Sequence, residues 1–346
     1  MSLYKTLRIT GIKTETADSK TFFLAPVGAE TILYAPGQFL TFVFPKPAGA
    51  ERRSYSISST PMIQEPLSVT IKKVENGEYS RKLVDHAQEG DELITIGAAG
   101  FFVLPADVKQ YQQIFFLAAG SGITPVFSLI KTILIEHPHI QVVLIYSNRS
   151  RQTTIFYDEL QQLSKQYQER LLIEFLFSSA YDLERARLSK WLLGILLKEY
   201  LRAPLSKTLF YCCGPFDFMR MATIELLEDG VPLHNIRKEN FSTFKQDVKI
   251  KPPDTDKHTI SIQMGNDHYS IETQYPQTIL QAAKKAGIIL PYSCEAGKCG
   301  SCAANCIGGK VWMSYNEVLL DEEIAKGRVL TCVGFPVGGD VVLDYK

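Results

Sequence analysis

Short apolar or alternating runs recur over the first hundred positions, at Leu7–Ile12, Thr21–Leu24, Phe39–Phe44, Ser54–Ile57, Leu67–Ile71 and Glu92–Ile96. Gly, Pro or Asn punctuates several of the gaps. Regular short strands with turn signals between them predict a small antiparallel six-stranded barrel over residues 1–108. From 109 the rhythm changes. Ile114–Ala118 is continuously apolar, Gly120-Ser121-Gly122 is a turn, and Thr124 and Pro125 suit a helix N-cap and first helical residue. Val126, Phe127, Leu129, Ile130, Ile133 and Leu134 then fall on one helical face. Strand-like Val142–Tyr146, Leu171–Phe177 and Leu209–Cys212 alternate with helical stretches near 156–168, 188–201 and 215–229. That alternation predicts a parallel α/β domain over 109–244, its sheet covered by helices.

The segment 245–257 breaks the pattern. It is charged, carries Pro252-Pro253 and has little to bury, so it reads as a partly extended tether. Beyond it, over 258–346, Thr259–Met264 and His268–Glu272 predict a hairpin, Thr278–Ala286 a helix and Val341-Val342-Leu343 a closing strand.

Composition narrows the class. Among 346 residues, 45% are hydrophobic and 21% charged, as in ordinary globular domains, and the length asks for two or three of them. Lys+Arg and Asp+Glu both total 37, so no net charge recruits nucleic acid or an anionic membrane. The N-terminal residues lack the apolar core of a secretory signal. The uncharged run Ile114–Ile130 is broken by glycines and Pro125, which favours a buried strand–turn–helix over a membrane span. A cytoplasmic protein is expected. Its seven cysteines suit a reducing compartment, where tight groupings bind metal more often than they form disulfides.

Four of those cysteines form the sharpest pattern in the chain: Cys294-x4-Cys299-x2-Cys302, then the distant Cys332. Plant-type [2Fe–2S] clusters use this spacing. Two irons need four thiolates converging from a short segment, and Gly297 and Gly300 let the backbone wrap closely around them. Structural zinc usually draws on two paired short spacings, which this arrangement lacks. Cys306 stands outside the motif as a small packed side chain.

The stretch Pro291–Cys302 resembles the cluster loop of bacterial ferredoxin domains fused to oxygenase reductases. Arg53-Ser54-Tyr55-Ser56 resembles the flavin signature of the ferredoxin–NADP reductase superfamily. Alone, those four residues would pass for an ordinary strand with an exposed Arg. The resemblance implies that Arg53 meets a flavin pyrophosphate, that Tyr55 packs on the flavin and that Ser56 lies near its N5. Thr70-Ile71-Lys72 would supply backbone contacts. Gly77-Glu78-Tyr79-Ser80 is similar to a second phosphate-binding element at a helix N-terminus, which favours FAD over FMN.

Gly120-Ser121-Gly122-Ile123-Thr124-Pro125 follows a strand and opens a helix, so its N–H groups can cradle a dinucleotide. Together with Cys213-Gly214-Pro215 it resembles the superfamily's nicotinamide frame. Cys213 would then be a neighbour of the hydride path and not a nucleophile. The resemblance also implies that the carboxylate of Glu239 and the ring of Phe241 approach the flavin. Asn148, Arg149 and Arg151 follow a strand where the adenosine ribose should lie. Two guanidiniums without an acidic residue favour a 2′-phosphate, hence NADPH, and leave NADH open.

A flavin belongs between a two-electron hydride donor and a one-electron cluster. The order barrel, nucleotide domain, C-terminal β-grasp ferredoxin resembles oxygenase reductases, the phenylacetyl-CoA epoxidase group among them. Gly309-Lys310-Val311-x-Met313, Asn316, Gly327-x-Val329-Leu330-x-Cys332 and Asp340-Val341-Val342-x-Asp344-Tyr345 carry that likeness over nearly the full length. It implies an oxidoreductase passing electrons from NAD(P)H through FAD and the cluster to an oxygenase component. A reductase serving a desaturase, a haem protein or small acceptors has the same parts. A zinc-holding interaction module would instead be colourless.

Overall fold

A computed structural model describes residues 3–28, 31–47, 49–182, 184–242 and 250–345. The first part of the expected tether, 245–249, lies outside the described residues.

Six antiparallel strands come first: β1 (Lys5–Thr16), β2 (Ser19–Pro26), β3 (Phe39–Lys46), β4 (Gly49–Ser56), β5 (Leu67–Lys72) and, after helix α1 (Glu78–His86), β6 (Glu92–Ala99). They are ordered β4-β3-β6-β1-β2-β5. An isolated bridge between Ile57 and Val69 ties the end of β4 to β5 and closes the sheet into a barrel. The alternating pattern fills it with Leu7, Ile9, Phe22, Leu40, Phe42, Ile57, Val69 and Ile71.

Next come β7 (Gln113–Ala119), α2 (Ile123–Glu136), β8 (Gln141–Asn148), α3 (Tyr157–Gln166), β9 (Leu171–Phe177), α4 (Lys190–Tyr200), β10 (Thr208–Cys213), α5 (Phe216–Glu228) and β11 (Ile236–Glu239). Their strands form a parallel sheet in the order β11-β10-β7-β8-β9. Both faces of β7 are buried, which explains its unbroken apolar run. Ile114, Phe116 and Ala118 join the core that includes α2, while Phe115 and Leu117 join the core under α4 and α5.

Two expectations need correcting here. Helix α2 starts at Ile123 with Gly122 as its N-cap. Thr124 lies inside it, and its Oγ1 donates back to the Ser121 carbonyl at 2.9 Å. Its side chains are buried from Ile123 to Leu134 rather than on one face, because the barrel covers what would otherwise be its solvent side. Ser128 Oγ accepts from the Gly37 N–H at 2.9 Å, and Thr132 Oγ1 lies 2.7 Å from Thr60 Oγ1.

The last sheet is mixed, built from β12 (His258–Met264), β13 (Asp267–Thr273), β14 (Ala303–Gly308), β16 (Arg328–Leu330) and β18 (Val341–Tyr345) in the order β13-β12-β18-β14-β16. Helix α6 (Ile279–Lys285) packs on it, with Thr278 as a side-chain N-cap accepting from Gln281 N. The small pair β15 (Val311–Met313) and β17 (Gly334–Pro336), with helix α7 (Asp321–Ala325), completes this β-grasp unit. Among the described residues no helix is long and apolar enough to cross a membrane.

Candidate functional site

The parallel sheet starts at its middle strand β7, runs outward through β8 and β9, then returns to the other side of β7 at β10. Ligands of such sheets bind where the order reverses, beyond the carboxyl ends of the two strands that part there. The residues following β7 and β10 are Gly120-Ser121-Gly122 and Gly214-Pro215, so the fold brings the two glycine-bearing motifs together. The approach is close. A Cβ on Gly122 would stand 2.0 Å from the Cys213 carbonyl oxygen, and one on Gly214 would stand 2.9 Å from Ala119 Cβ.

A cleft of about 1130 Å³ opens there, lined by Gly120, Ser147, Asn148, Arg149, Gly214, Pro215 and Phe241, and by Lys72 and Val74 from the barrel. Pro215 caps α5, whose first N–H groups face an anion-favouring end. Ser147 Oγ is buried in this wall without a partner, a polar atom awaiting one. The chemistry and the room fit a dinucleotide. Thr124 and Pro125 do not line the cleft; both are buried in the first turn of α2. The arginines part company as well. Arg149 lines the cleft, whereas Arg151 lies 4.5 Å over the Tyr157 ring and 3.7 Å from Asp158. The segment 147–151 itself holds no acidic residue, but Arg151 is engaged by Asp158 in the first turn of α3.

At the inner end of the cleft three expected residues converge. β11 pairs in register with β10, setting Glu239 opposite Cys213, and Ser56 Oγ donates to Glu239 Oε2 at 3.5 Å. Burial pushes the Glu239 carboxyl up to about 8, with the Ser56 hydrogen bond pulling the other way. Burial first, and Glu239 second, push the Cys213 thiol well above its ordinary range. A thiol held protonated is a poor nucleophile. Phe241, 45% exposed, stands at the mouth. Strand β11 was not legible in the sequence: four residues, two of them basic, give no apolar run.

On the barrel, Arg53 donates from Nη2 to Glu51 at 2.8 Å and lies 5.3 Å from the Tyr79 ring, which stacks on Phe44 at 4.0 Å. Ser80 Oγ, in the first turn of α1, accepts from Val74 N and donates to the Gly77 carbonyl, which holds that turn in shape. Tyr55 is mostly buried, and burial raises its hydroxyl pKa. Thr70 and Ile71 are buried in β5 with Lys72 at its end. A guanidinium, a helix N-terminus and aromatic faces along one edge fit a flavin with its pyrophosphate.

The cysteines come in two pairs, Cys294 with Cys299 and Cys302 with Cys332. Cys294, Cys302 and Cys332 are buried and Cys299 is half-buried. Among the described residues no three His, Cys, Asp or Glu side chains meet at a point for a single ion. Two thiol pairs fit the four-thiolate frame of a two-iron cluster. Gly297 and Gly300 have φ of +71° and +77°; a Cβ on Gly297 would lie 2.9 Å from the Tyr315 carbonyl oxygen, and one on Gly300 would lie 2.4 Å from the Phe101 ring. Only glycine fits the loop there. Cys306 stays outside the pairs, its Sγ donating to the Gly308 carbonyl.

Three family models match in order: the oxidoreductase FAD-binding domain over residues 6–103, the oxidoreductase NAD-binding domain over 116–223 and the 2Fe-2S iron-sulfur cluster binding domain over 265–337. The chain is 32% identical to the 3-ketosteroid-9-alpha-monooxygenase ferredoxin reductase component of Mycobacterium tuberculosis, covering 98% of this chain and 95% of that protein. It is also 32% identical to a subunit of the 1,2-phenylacetyl-CoA epoxidase of Escherichia coli, covering 100% and 98%. The phthalate dioxygenase reductase structure superposes with a TM-score of 0.59 at 24% identity, over 99% of this chain and 98% of that one. An intact type IV self-sufficient cytochrome P450 monooxygenase gives 0.73 at 21% identity, over 98% of this chain and 41% of that one.

Proposed function

The chain belongs to the oxygenase reductases of the ferredoxin–NADP reductase superfamily that end in a plant-type [2Fe–2S] domain, and from that premise we propose that it draws hydride from NADPH and supplies single electrons to an oxygenase component in the cytoplasm. The working units are 1–108 for FAD, 109–244 for the nucleotide, 245–257 as linker and 258–346 for the cluster. A flavin held by Arg53, Tyr55 and Ser80 would supply the exchange between two-electron and one-electron chemistry that links hydride to cluster.

One observation carries this reading. A single strand, β4, serves both the hydride end and the cluster end. Alternation puts Arg52, Ser54 and Ser56 on one side of it. Ser56 Oγ reaches Glu239 at the nicotinamide end, and Ser54 Oγ lies 2.7 Å from Ser293 Oγ in the cysteine loop. Two residues of strand, about 7 Å, separate those contacts.

The chain's residues divide the work. Gly120, Gly122, Cys213, Gly214 and Pro215 frame the nicotinamide and exclude water. Glu239 holds a proton at neutral pH beside Ser56 Oγ, keeping a charge out of the dry hydride site. Arg53, Ser54, Tyr55, Thr70, Ile71, Lys72, Gly77, Tyr79 and Ser80 hold the flavin. Cys294 and Cys299 would take one iron, Cys302 and Cys332 the other. Asn148 and Arg149 select the ribose end, Arg149 favouring a 2′-phosphate.

Purified protein should be coloured, and NADPH should drive reduction of cytochrome c, a one-electron acceptor. Colourless protein would contradict the reading. Arg149→Ala should raise the KM for NADPH about tenfold while leaving NADH nearly unchanged, as loss of one charged contact implies. Equal changes for both nucleotides would remove the 2′-phosphate assignment.

A further inference from the structure

Arg52 lies on β4, an edge strand of the barrel's sheet order, yet it is only 6% exposed. A charged side chain on such a strand ordinarily faces water. What covers this one is the cluster domain. Its Nη1 donates to the Leu290 carbonyl at 3.2 Å and to the Tyr292 carbonyl at 3.1 Å, and its Nη2 reaches Tyr4 Oη at 3.4 Å. The guanidinium carbon lies 3.6 Å from the centre of the Tyr292 ring. Lys284, from α6, brings its Nζ within 3.7 Å of the same centre and pairs with Glu295 at 2.9 Å. Two cations that close to one ring cannot share a face, so the ring is clasped between the barrel and its own domain.

We propose that Arg52 is a positioning residue that fastens the cysteine loop to the flavin barrel, and that its release frees the loop to meet an external acceptor. This rests on the functional reading above. Among the described residues the other contacts between barrel and cluster domain include Ser54 with Ser293, and Phe101, which packs on the cluster domain at Gly300 with Arg328 5.8 Å from its ring. The fastening itself is balanced for reversal. Docked, the guanidinium spends its bonds on carbonyls, a phenol and a ring, and its Nε is buried without a partner. Undocked, water satisfies every donor. A cation held by carbonyls, a phenol and a ring leaves no buried carboxylate behind when it is released. The fork geometry matters, because both carbonyl contacts come from one planar end group.

The test uses the full holoprotein and three variants, Arg52→Met and Arg52→Lys on the barrel and Tyr292→Leu on the cluster domain. Rapid mixing with NADPH separates flavin reduction from the later reduction of the cluster. Small-angle scattering and hydrogen exchange at 290–293 report docking without reference to activity. Arg52→Met should slow the hand-over to the cluster about tenfold or more, as loss of its charged hydrogen bonds implies, with flavin reduction within about twofold. The radius of gyration should grow and exchange at 290–293 should quicken. Tyr292→Leu should do the same to a smaller degree, and Arg52→Lys should fall between. A loaded Arg52→Met protein with native hand-over and native radius overturns the proposal. If Arg52→Met does not fold, Tyr292→Leu decides by the same readouts. Failure of the native protein to reduce its cluster contradicts the functional reading instead, while the radius of gyration still judges the fastening.

Discussion

The barrel meets its two neighbours through seams built on different principles. Against the nucleotide domain the seam is dry and interlocked. Thr60 and Thr132 pair their buried hydroxyls, Ser128 takes the Gly37 N–H, and Lys131 reaches Glu65 at 2.5 Å. Phe102 meets Tyr211 edge-on at 5.1 Å, and the Tyr211 hydroxyl donates to the Val103 carbonyl at 2.9 Å. A Cβ on Gly37 would stand 3.2 Å from Leu129 Cδ2 of α2. Against the cluster domain the described seam includes the buried Arg52, the Ser54–Ser293 pair, Phe101 packed at Gly300 and a gap of about 410 Å³ lined by Gln38, Ala98, Phe101, Pro291 and Gly300. The difference matches the chemistry proposed on each side. Hydride transfer needs reacting atoms held within a few tenths of an ångström, whereas an electron crosses a gap and tolerates a partner that comes and goes.

The largest way to break this asymmetry is to remove the outlet alone. Cys299→Ser should lose the cluster and cut electron flow to cytochrome c more than about a hundredfold. Flavin reduction by NADPH should stay within about twofold. Iron content and rapid-mixing traces check both, and an equal loss of flavin reduction would show the seams to be coupled.

A second test addresses the dryness of the inlet. Burial lifts the Glu239 carboxyl from 4.5 to about 8. Between those values the folded chain keeps a proton that the unfolded chain has lost, so stability falls as pH rises through this window. The contribution of Glu239 is whole below about 4.5 and gone above about 8. Relative to Glu239→Gln, the native protein should lose on the order of a few kcal/mol across the window, read from denaturant melts at several pH values. A constant difference would mean that water reaches the carboxylate.

The smallest expected effect sharpens the contrast. Thr132→Val leaves the buried Thr60 hydroxyl with the Met62 N–H but removes its Thr132 partner, and should cost about 1–3 kcal/mol. Hydrogen exchange should quicken along α2 and its barrel contacts but not at 290–293. Spread to the cluster loop would make the two seams one unit.

The sequence made the parts of both seams visible, but not the seams. All six barrel strands were legible because each alternates or runs apolar between turn residues. The β7–turn–α2 unit was legible because glycine and proline punctuate it, although the true N-cap is Gly122, two positions before the Thr124 that side-chain capping rules pick. The cysteine spacing stood out because four thiols around two irons tolerate few arrangements. The strands β11, β14, β15, β16 and β17 were not legible: they are short, and their pairing comes from partners distant in the chain. Arg52 was invisible for a related reason. In sequence it is one more basic residue beside Arg53, and only the docked domain makes it buried.

The most direct test of the central claim, that two-electron entry and one-electron exit meet at one barrel strand, is an anaerobic rapid-mixing experiment with NADPH at flavin and cluster wavelengths. The account predicts bleaching of the flavin first, followed by cluster reduction in the same chain at a rate independent of protein concentration. Flavin bleaching with no cluster reduction, or hand-over that rises with concentration, would contradict it.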